Sequence, residues 1–137
     1  MFGDKDAKEE KQQKSQAAYA EVERLEALSP IQLASEVMTR GFGPGGPADT
    51  VAPLARGTSI RKLLQMFEPD GGSDSSLHDR LYDIVADSVQ VLEHASLLRP
   101  DGTVGSQQGL AFYSATRWGR AALERNAVER VLHGESL

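Results

Sequence analysis

The 137-residue sequence lacks cysteine, is poor in aromatic residues and has no long apolar run. Without cysteine, the chain cannot form disulfides, thiolate metal ligands or a thiol nucleophile. No segment approaches the roughly 18 apolar residues that a membrane-spanning helix requires. The first residues contain no cationic region followed by an apolar stretch, so we do not expect a secretory signal. These absences predict a cytoplasmic protein that does not enter membranes.

Recognisable catalytic and metal-binding motifs are also missing. The sequence has no Gly-x-Ser-x-Gly motif, and the glycine-rich segment 41–46 lacks the preceding strand and the lysine of a phosphate-binding loop. Asp83, Asp87, Gln90 and His94 share one side of a predicted helix, but a transition-metal site needs three or four converging ligands, which one helix rarely supplies. We therefore expect a non-enzymatic chain with no catalytic residues, no metal and no cofactor.

The charge distribution predicts one domain with an N-terminal arm. Residues 1–17 are charged and amide-rich with little to bury, so we expect a flexible arm that is either disordered or a solvated helix extension. Residues 18–134 are predicted to form a single winged-helix-like domain. The formal net charge of −5 disfavours general attraction to nucleic acid, so any DNA contact would need a local basic patch.

Apolar residues at spacings of three and four, together with capping residues, predict a mainly helical domain. Ser29-Pro30 followed by Gln32 is a capping-box pattern with proline at the first helical position. The glycine-rich and proline-rich segment that follows is predicted to be a flexible connection. The predicted helices span about 18–28, 30–40, 60–67, 77–98 and 117 onwards. The last has an inner face of Trp118, Ala121, Val128 and Leu132.

The most informative segment lies between the two last predicted helices. Pro100 cannot continue a helix, and Asp101-Gly102 is a turn dipeptide. Residues 110–115 have strand character, and Thr116 can cap the helix that follows. A helix end, a turn, a short ribbon and a new helix indicate a β wing. The predicted fold is therefore mainly α with a small β wing, and has additional N- and C-terminal helices.

Two segments flank this wing, Glu-His-Ala-Ser-Leu-Leu at 93–98 and Thr-Arg-Trp-Gly-Arg-Ala-Ala-Leu at 116–123. With the helix order, they resemble the winged-helix family over roughly residues 29–125, especially its MarR- and PadR-type bacterial regulators. The resemblance implies a dimer that binds DNA, with the third helix in the major groove and the wing on the backbone. The positions it implies for these contacts are Ser75, Ser76, His78, Asp79, Arg80, Asp83 and Asp87 in the groove, and Arg99, Gln107 and Gln108 at the wing.

Two features of this sequence depart from that pattern. Nine residues with three acids, 68–76, replace the usual short turn before the third helix. Asp79, Asp83 and Asp87 recur every four residues and form one stripe, where phosphates would repel carboxylates. The stripe can be a solvated face, a surface for a basic partner or, because a carboxylate can also read bases, a DNA-reading face.

Two functional hypotheses follow. The first is a non-enzymatic module for protein–protein interaction or regulation, which binds a protein partner or a second copy of the chain through Asp79, Asp83, Asp87 and Gln90. The alternative is a DNA-binding transcriptional regulator of the MarR or PadR type. Five basic residues would hold the regulator on the duplex: Arg61, Lys62, Arg80, Arg99 and Arg117.

The aromatic residues around the second flanking segment also allow two interpretations. Phe112, Tyr113 and Trp118 can pack the wing against the core, which is the favoured interpretation. Alternatively, they can form a stacking platform for a single nucleic-acid strand, with Arg117 and Arg120 nearby. The two interpretations differ in the exposure of the rings, which the fold decides.

Overall fold

The computed structural model describes residues 3–51, 56–68, 75–101 and 111–137. These residues form seven helices and one three-stranded antiparallel sheet. The elements in chain order are α1 (Gly3–Glu26), α2 (Pro30–Phe42), α3 (Pro47–Val51), β1 (Gly57–Ser59), α4 (Ile60–Phe67), α5 (Ser75–His94), β2 (Leu98–Pro100), β3 (Phe112–Ala115), α6 (Arg117–Glu124) and α7 (Val128–Leu132). The prediction of a mainly helical fold with a small sheet and additional terminal helices is confirmed.

The sheet has the order β1-β3-β2, with both outer strands antiparallel to β3. Ser59 lies opposite Phe112 at one end of the sheet, and Leu98 lies opposite Ala115 at the other. One strand before α4 and two strands after α5 give a winged-helix-like topology. The predicted wing connects β2 to β3, and its residues 102–110 lie outside the described residues.

Side-chain caps start α2, α4 and α6 where the sequence predicts them. The Ser29 hydroxyl accepts a hydrogen bond from the Gln32 N–H at 3.2 Å, and the Gln32 side chain accepts one from the Ser29 N–H at 3.2 Å. The Ser59 hydroxyl caps α4 by accepting from the Lys62 N–H, and the Thr116 hydroxyl caps α6 by accepting from the Gly119 N–H. Between α2 and α4 the sequence predicts only a connection, but α3 and β1 lie there. Each is too short to show a hydrophobic period.

The long helix ends earlier than predicted. α5 ends at His94, and Ser96 adopts a φ of 62°. The Leu97 N–H then donates to the Leu92 carbonyl at 2.9 Å, which is the Schellman arrangement that closes a helix with a left-handed residue. The chain reverses at this point, so Leu98 begins β2 and is not the end of a helix.

The core lies between α2, α4, α5 and the inner face of the sheet. Its largest fully buried side chains include Phe42, Met38, Leu63, Leu81 and Leu92. Each such side chain contributes about 1.5–3 kcal/mol when it leaves water.

The N-terminal helix is docked onto this core. The apolar stripe of α1 is buried within the chain, at Ala18, Val22 and Leu25. Residues 3–17 belong to the same continuous helix, as in the helix-extension alternative.

The predicted C-terminal helix is two helices, α6 and α7, with Asn126 at a φ of 51° between them. The prediction that Trp118 lies on the inner face is wrong, because its side chain is 40% exposed. The inner face belongs instead to Gly119 and Ala122, which are buried. A Cβ at Gly119 would lie 2.1 Å from the Leu97 carbonyl oxygen. Because α6 approaches the α5–β2 turn this closely, only glycine fits there, and the neighbouring tryptophan turns outward.

Candidate functional site

An acidic surface runs along the solvent side of α5. Asp79, Asp83, Asp87 and Gln90 are all exposed, so the structure places the four predicted partner-binding residues on one accessible face. The opposite side of the helix is buried, at Leu77, Leu81, Ile84, Val85, Val89 and Leu92. We call the four exposed residues the acidic face. Burial of the other side holds the helix in a fixed rotation, so these carboxylates must point into water.

Arg80 is the one arginine of α5, which contains no lysine, and it pairs with a residue outside this helix. Its guanidinium forms an ion pair with the Glu26 carboxylate at the end of α1. The hydrogen bonds from Arg80 lower the pKa of Glu26 and raise the pKa of Arg80 itself. Arg80 therefore clamps α1 to α5, and its guanidinium pairs with Glu26 rather than with the acidic face.

Two tyrosines lie where α5 meets the sheet. Tyr82 is 47% exposed, which is unusual for a large apolar side chain in this chain. Tyr113 of β3 is half-buried, and its pKa is raised by burial first and then by the negative charges at Glu93 and Tyr82. Tyr82 follows Asp79 by one turn of helix and is adjacent to Asp83, so the acidic face carries one aromatic side chain along its edge.

The five predicted DNA-contacting residues do not form one strip. Arg61 and Lys62 are exposed in the first turn of α4. They lie at the end of the sheet from which residues 102–110 extend, because the Ile60 N–H donates to the Ala111 carbonyl at 3.1 Å. Arg80 faces α1, as described above. Arg99 and Arg117 are exposed at the opposite end of the sheet.

Arg99 and Arg117 meet at an open groove between the sheet and the start of α6. Its volume is about 590 Å³, and it is lined by Ser96, Arg99, Ala115, Thr116, Arg117, Trp118 and Arg120. The length of β3, four residues, separates this groove from Arg61 and Lys62 by roughly 10 Å of strand. We call Arg99, Arg117, Arg120 and Trp118 the arginine groove. The sequence predicts that Arg117 and Arg120 lie close together, because they are three residues apart on one helix. Arg99 lies near them only because β2 pairs with β3.

The remaining positions predicted for DNA contact or base stacking do not belong to either surface, with the exception of Trp118. Ser76 and His78 are exposed, and the His78 ring lies 2.9 Å from a Glu68 carboxylate oxygen. Gln107 and Gln108 lie outside the described residues, and so does the side chain of Ser75. Of the aromatic residues considered for stacking, Phe112 is 7% exposed and Trp118 is the accessible one.

Within the described ranges, no group of three or more histidine, aspartate or glutamate residues is placed to hold a metal ion. None of the helices, as far as the structure describes them, combines the length and apolar character needed to cross a membrane. A second cavity, of about 70 Å³, lies on the other side of Arg120 beside Phe42 and Glu124. It is large enough for a few water molecules only. Among these surfaces, the acidic face and the arginine groove are the two candidate sites.

Comparison with protein-family models, with curated proteins and with solved structures found no match for this chain.

Proposed function

We propose that this chain is a cytoplasmic, non-enzymatic, winged-helix-like module that binds a basic protein segment through the acidic face of α5. The observation that carries the proposal is the exposure of three aligned aspartates on a helix whose one arginine is held by α1. In a winged-helix regulator this helix would approach phosphates. Here its solvent side presents carboxylates without a cation of its own, which favours a positively charged partner.

The partner is expected to be a polypeptide, because the face combines charge with an aromatic anchor. Protein interfaces are enriched in tyrosine and in complementary charged pairs at their rim. Tyr82 can supply the buried contact, and Asp79, Asp83 and Asp87 can pair with lysine or arginine along about two turns of helix. A second copy of this chain is included among the partners, since the arginine groove offers a basic surface on the same molecule.

The test uses a variant in which neutral side chains of the same shape replace the three aspartates. Asp79→Asn, Asp83→Asn and Asp87→Asn together remove three charges from the acidic face. A matched control removes three exposed charges from the C-terminal region instead, by the changes Glu124→Gln, Glu129→Gln and Glu135→Gln. Both variants and the wild type are immobilised and used to capture proteins from the source cells. Each captured protein is then purified and titrated against the three chains.

A partner that binds the wild type and the control, but binds the triple asparagine variant at least tenfold more weakly, supports the proposal. Equal binding to all three, with unchanged circular dichroism, would refute a role for the acidic face. Light scattering of the purified chain at several concentrations tests self-association separately. If the wild type dimerises and the triple asparagine variant does not, the partner is a second copy.

DNA binding in the manner of MarR- or PadR-type regulators is the second candidate. Two adjacent exposed cations, Arg61 and Lys62, favour it, since they stand at the wing end of the sheet. Against it, the segment 101–111 that joins β2 to β3 contains no lysine or arginine. The arginine groove lies at the other end of the sheet, so Arg61 and Lys62 do not form one continuous basic strip with it.

A duplex titration separates the two candidates. Labelled genomic fragments are titrated at about 50 and about 200 mM salt, with the wild type and with Arg61→Gln/Lys62→Gln. Two phosphate contacts predict about a tenfold loss of affinity over that range, and six or more predict about a thousandfold loss. Absence of binding at the lower salt would exclude the regulator, whereas a steep salt dependence lost in the double variant would favour it over the protein-binding module.

A further inference from the structure

The arginine groove brings together three of the arginines that form no ion pair among the described residues, a group that also includes Arg61, Arg125 and Arg130. Arg24, Arg40, Arg56 and Arg80 each form an ion pair with a carboxylate. For Arg99, Arg117 and Arg120, in contrast, no carboxylate lies within ion-pair distance among the described residues. This contrast matters because the chain carries an excess of acids, 20 against 15 basic residues. Three guanidinium groups thus share one groove without a neutralising partner.

Hydrogen bonds within the groove position Arg120 and Thr116, and none of them places a carboxylate on the arginines. The Arg120 guanidinium donates to the Ala115 carbonyl at 3.2 Å, which fixes its position at the rim. The Thr116 hydroxyl donates its hydrogen to the Ser96 carbonyl and accepts from the Gly119 N–H at 2.9 Å, so it has no hydrogen left to donate to a ligand. The polar groups that remain for a ligand are the guanidinium forks, which match the oxygens of a phosphate in a bidentate geometry.

Trp118 adds a flat apolar surface to these cations. It is the single tryptophan of the chain, and 40% of its surface is exposed at the first turn of α6. An indole face next to arginine forks can stack an aromatic ring whose phosphate is bound by those forks. Phe112 is buried, and Trp118 is the one aromatic residue that lines the groove, so the groove can stack one base rather than a run of bases.

We propose that the arginine groove binds a mononucleotide, with the phosphate between Arg99 and Arg117 and the base on Trp118. A groove of about 590 Å³ has the size of a small-molecule site. A phosphate with two negative charges neutralises more of the charge of three arginines than a single carboxylate does. The residues of this site are separate from those of the acidic face, and a second copy that docked its acidic face on the groove would compete with the nucleotide.

The test uses the fluorescence of Trp118, since the chain has no other tryptophan. The full chain is titrated with AMP, GMP and UMP, and in parallel with adenosine and with inorganic phosphate. Binding of at least one nucleotide is expected to change the emission, and that nucleotide is expected to bind at least tenfold more tightly than inorganic phosphate. Adenosine is expected to bind at least tenfold more weakly than AMP, because hydrogen bonds to charged groups are lost with the phosphate.

Arg99→Gln and Arg117→Gln are each expected to weaken nucleotide binding about tenfold or more. Arg130→Gln removes one exposed arginine from α7 and is the matched control, with no expected effect. Both groove arginines are exposed, so the variants are expected to fold, which thermal melting checks. The proposal is overturned if no nucleotide changes the emission, if adenosine binds as tightly as AMP, or if Arg130→Gln weakens binding as much as the groove variants. If a single-stranded oligonucleotide binds much more tightly than any mononucleotide, the proposal is also overturned, and the groove binds single-stranded nucleic acid instead.

Discussion

Replacing Gly119 with alanine tests how α6 is held against the turn between α5 and β2. A Cβ at this position would lie 2.1 Å from the Leu97 carbonyl oxygen, 3.0 Å from its carbon and 3.1 Å from the Met38 methyl group. The Leu97 carbonyl accepts a hydrogen bond from the Thr116 N–H at 3.0 Å, so the backbone cannot recede without losing that bond. The helix must therefore move away from the turn.

The size of the effect follows from three terms. Overpacking a well-packed site costs about 1–3 kcal/mol, and contact with backbone places this case near the upper value. Displacement of α6 also weakens the Thr116 cap, at about 1 kcal/mol. Alanine recovers about 1 kcal/mol through its helix propensity. The sum predicts a loss of about 3 kcal/mol in the free energy of unfolding. For 137 residues, with an unfolding entropy of about 2.1 cal/mol/K per residue, the melting temperature falls by roughly 10 °C.

Gly41→Ala is the matched comparison. Its Cβ would lie 2.4 Å from a methyl carbon of Leu63, the far end of a side chain that can rotate. We expect a loss of about 1 kcal/mol or less, because the clash is relieved without backbone movement and the helix gains alanine. Thermal and urea unfolding, followed by circular dichroism, measure both variants. If Gly119→Ala unfolds within a few degrees of the wild type, or is the milder of the two, the close approach of α6 is wrong.

Three further predictions concern the remaining contacts. Glu26→Gln should accelerate amide exchange at the end of α1, while the melting temperature changes little, because solvent screens the exposed pair with Arg80. Unchanged exchange would contradict the clamp. Hydrogen bonding from Arg24 lowers the pKa of Glu21, so the stability of this contact is present above the unfolded value of 4.5 and is lost as the pH falls through the lower folded value. The gap in melting temperature between the wild type and Glu21→Gln should therefore close in acid, and a gap independent of pH would refute this. The buried Thr58 hydroxyl has no hydrogen-bond partner among the described residues, so Thr58→Val should raise the free energy of unfolding by up to about 1 kcal/mol. A lower free energy of unfolding for Thr58→Val in urea would contradict this prediction and indicate that the hydroxyl has a partner.

The starts of α2, α4 and α6 could be predicted, whereas the end of α5 could not. Ser29, Ser59 and Thr116 each accept from the N–H group three residues further along the chain, so the signal is contained in a few adjacent residues. The end of α5 depends on Ser96 adopting a left-handed conformation, which serine seldom does. The buried pair that follows, Leu97-Leu98, draws the chain into the core at that point, and this requirement comes from the fold.

The candidate sites divide in the same way. The exposure of Asp79, Asp83 and Asp87 follows from helical periodicity alone, because the apolar residues of α5 occupy the other side. The partner of Arg80 could not be predicted, since Glu26 lies 54 residues away in the sequence. Periodicity places residues around one helix, but it contains no information on which other helix packs there.

The sequence by itself determined the class of fold, the capped helix starts and the acidic stripe, because caps and periodic faces are interactions between residues a few positions apart. The tertiary structure alone decided which cations are free and which come together. Packing of α1 on α5 pairs Arg80 with Glu26, and the antiparallel register of β2 with β3 brings Arg99 beside Arg117. Close contact at Gly119 turns Trp118 into the same groove. These outcomes depend on contacts between segments far apart in the chain, which local patterns do not encode.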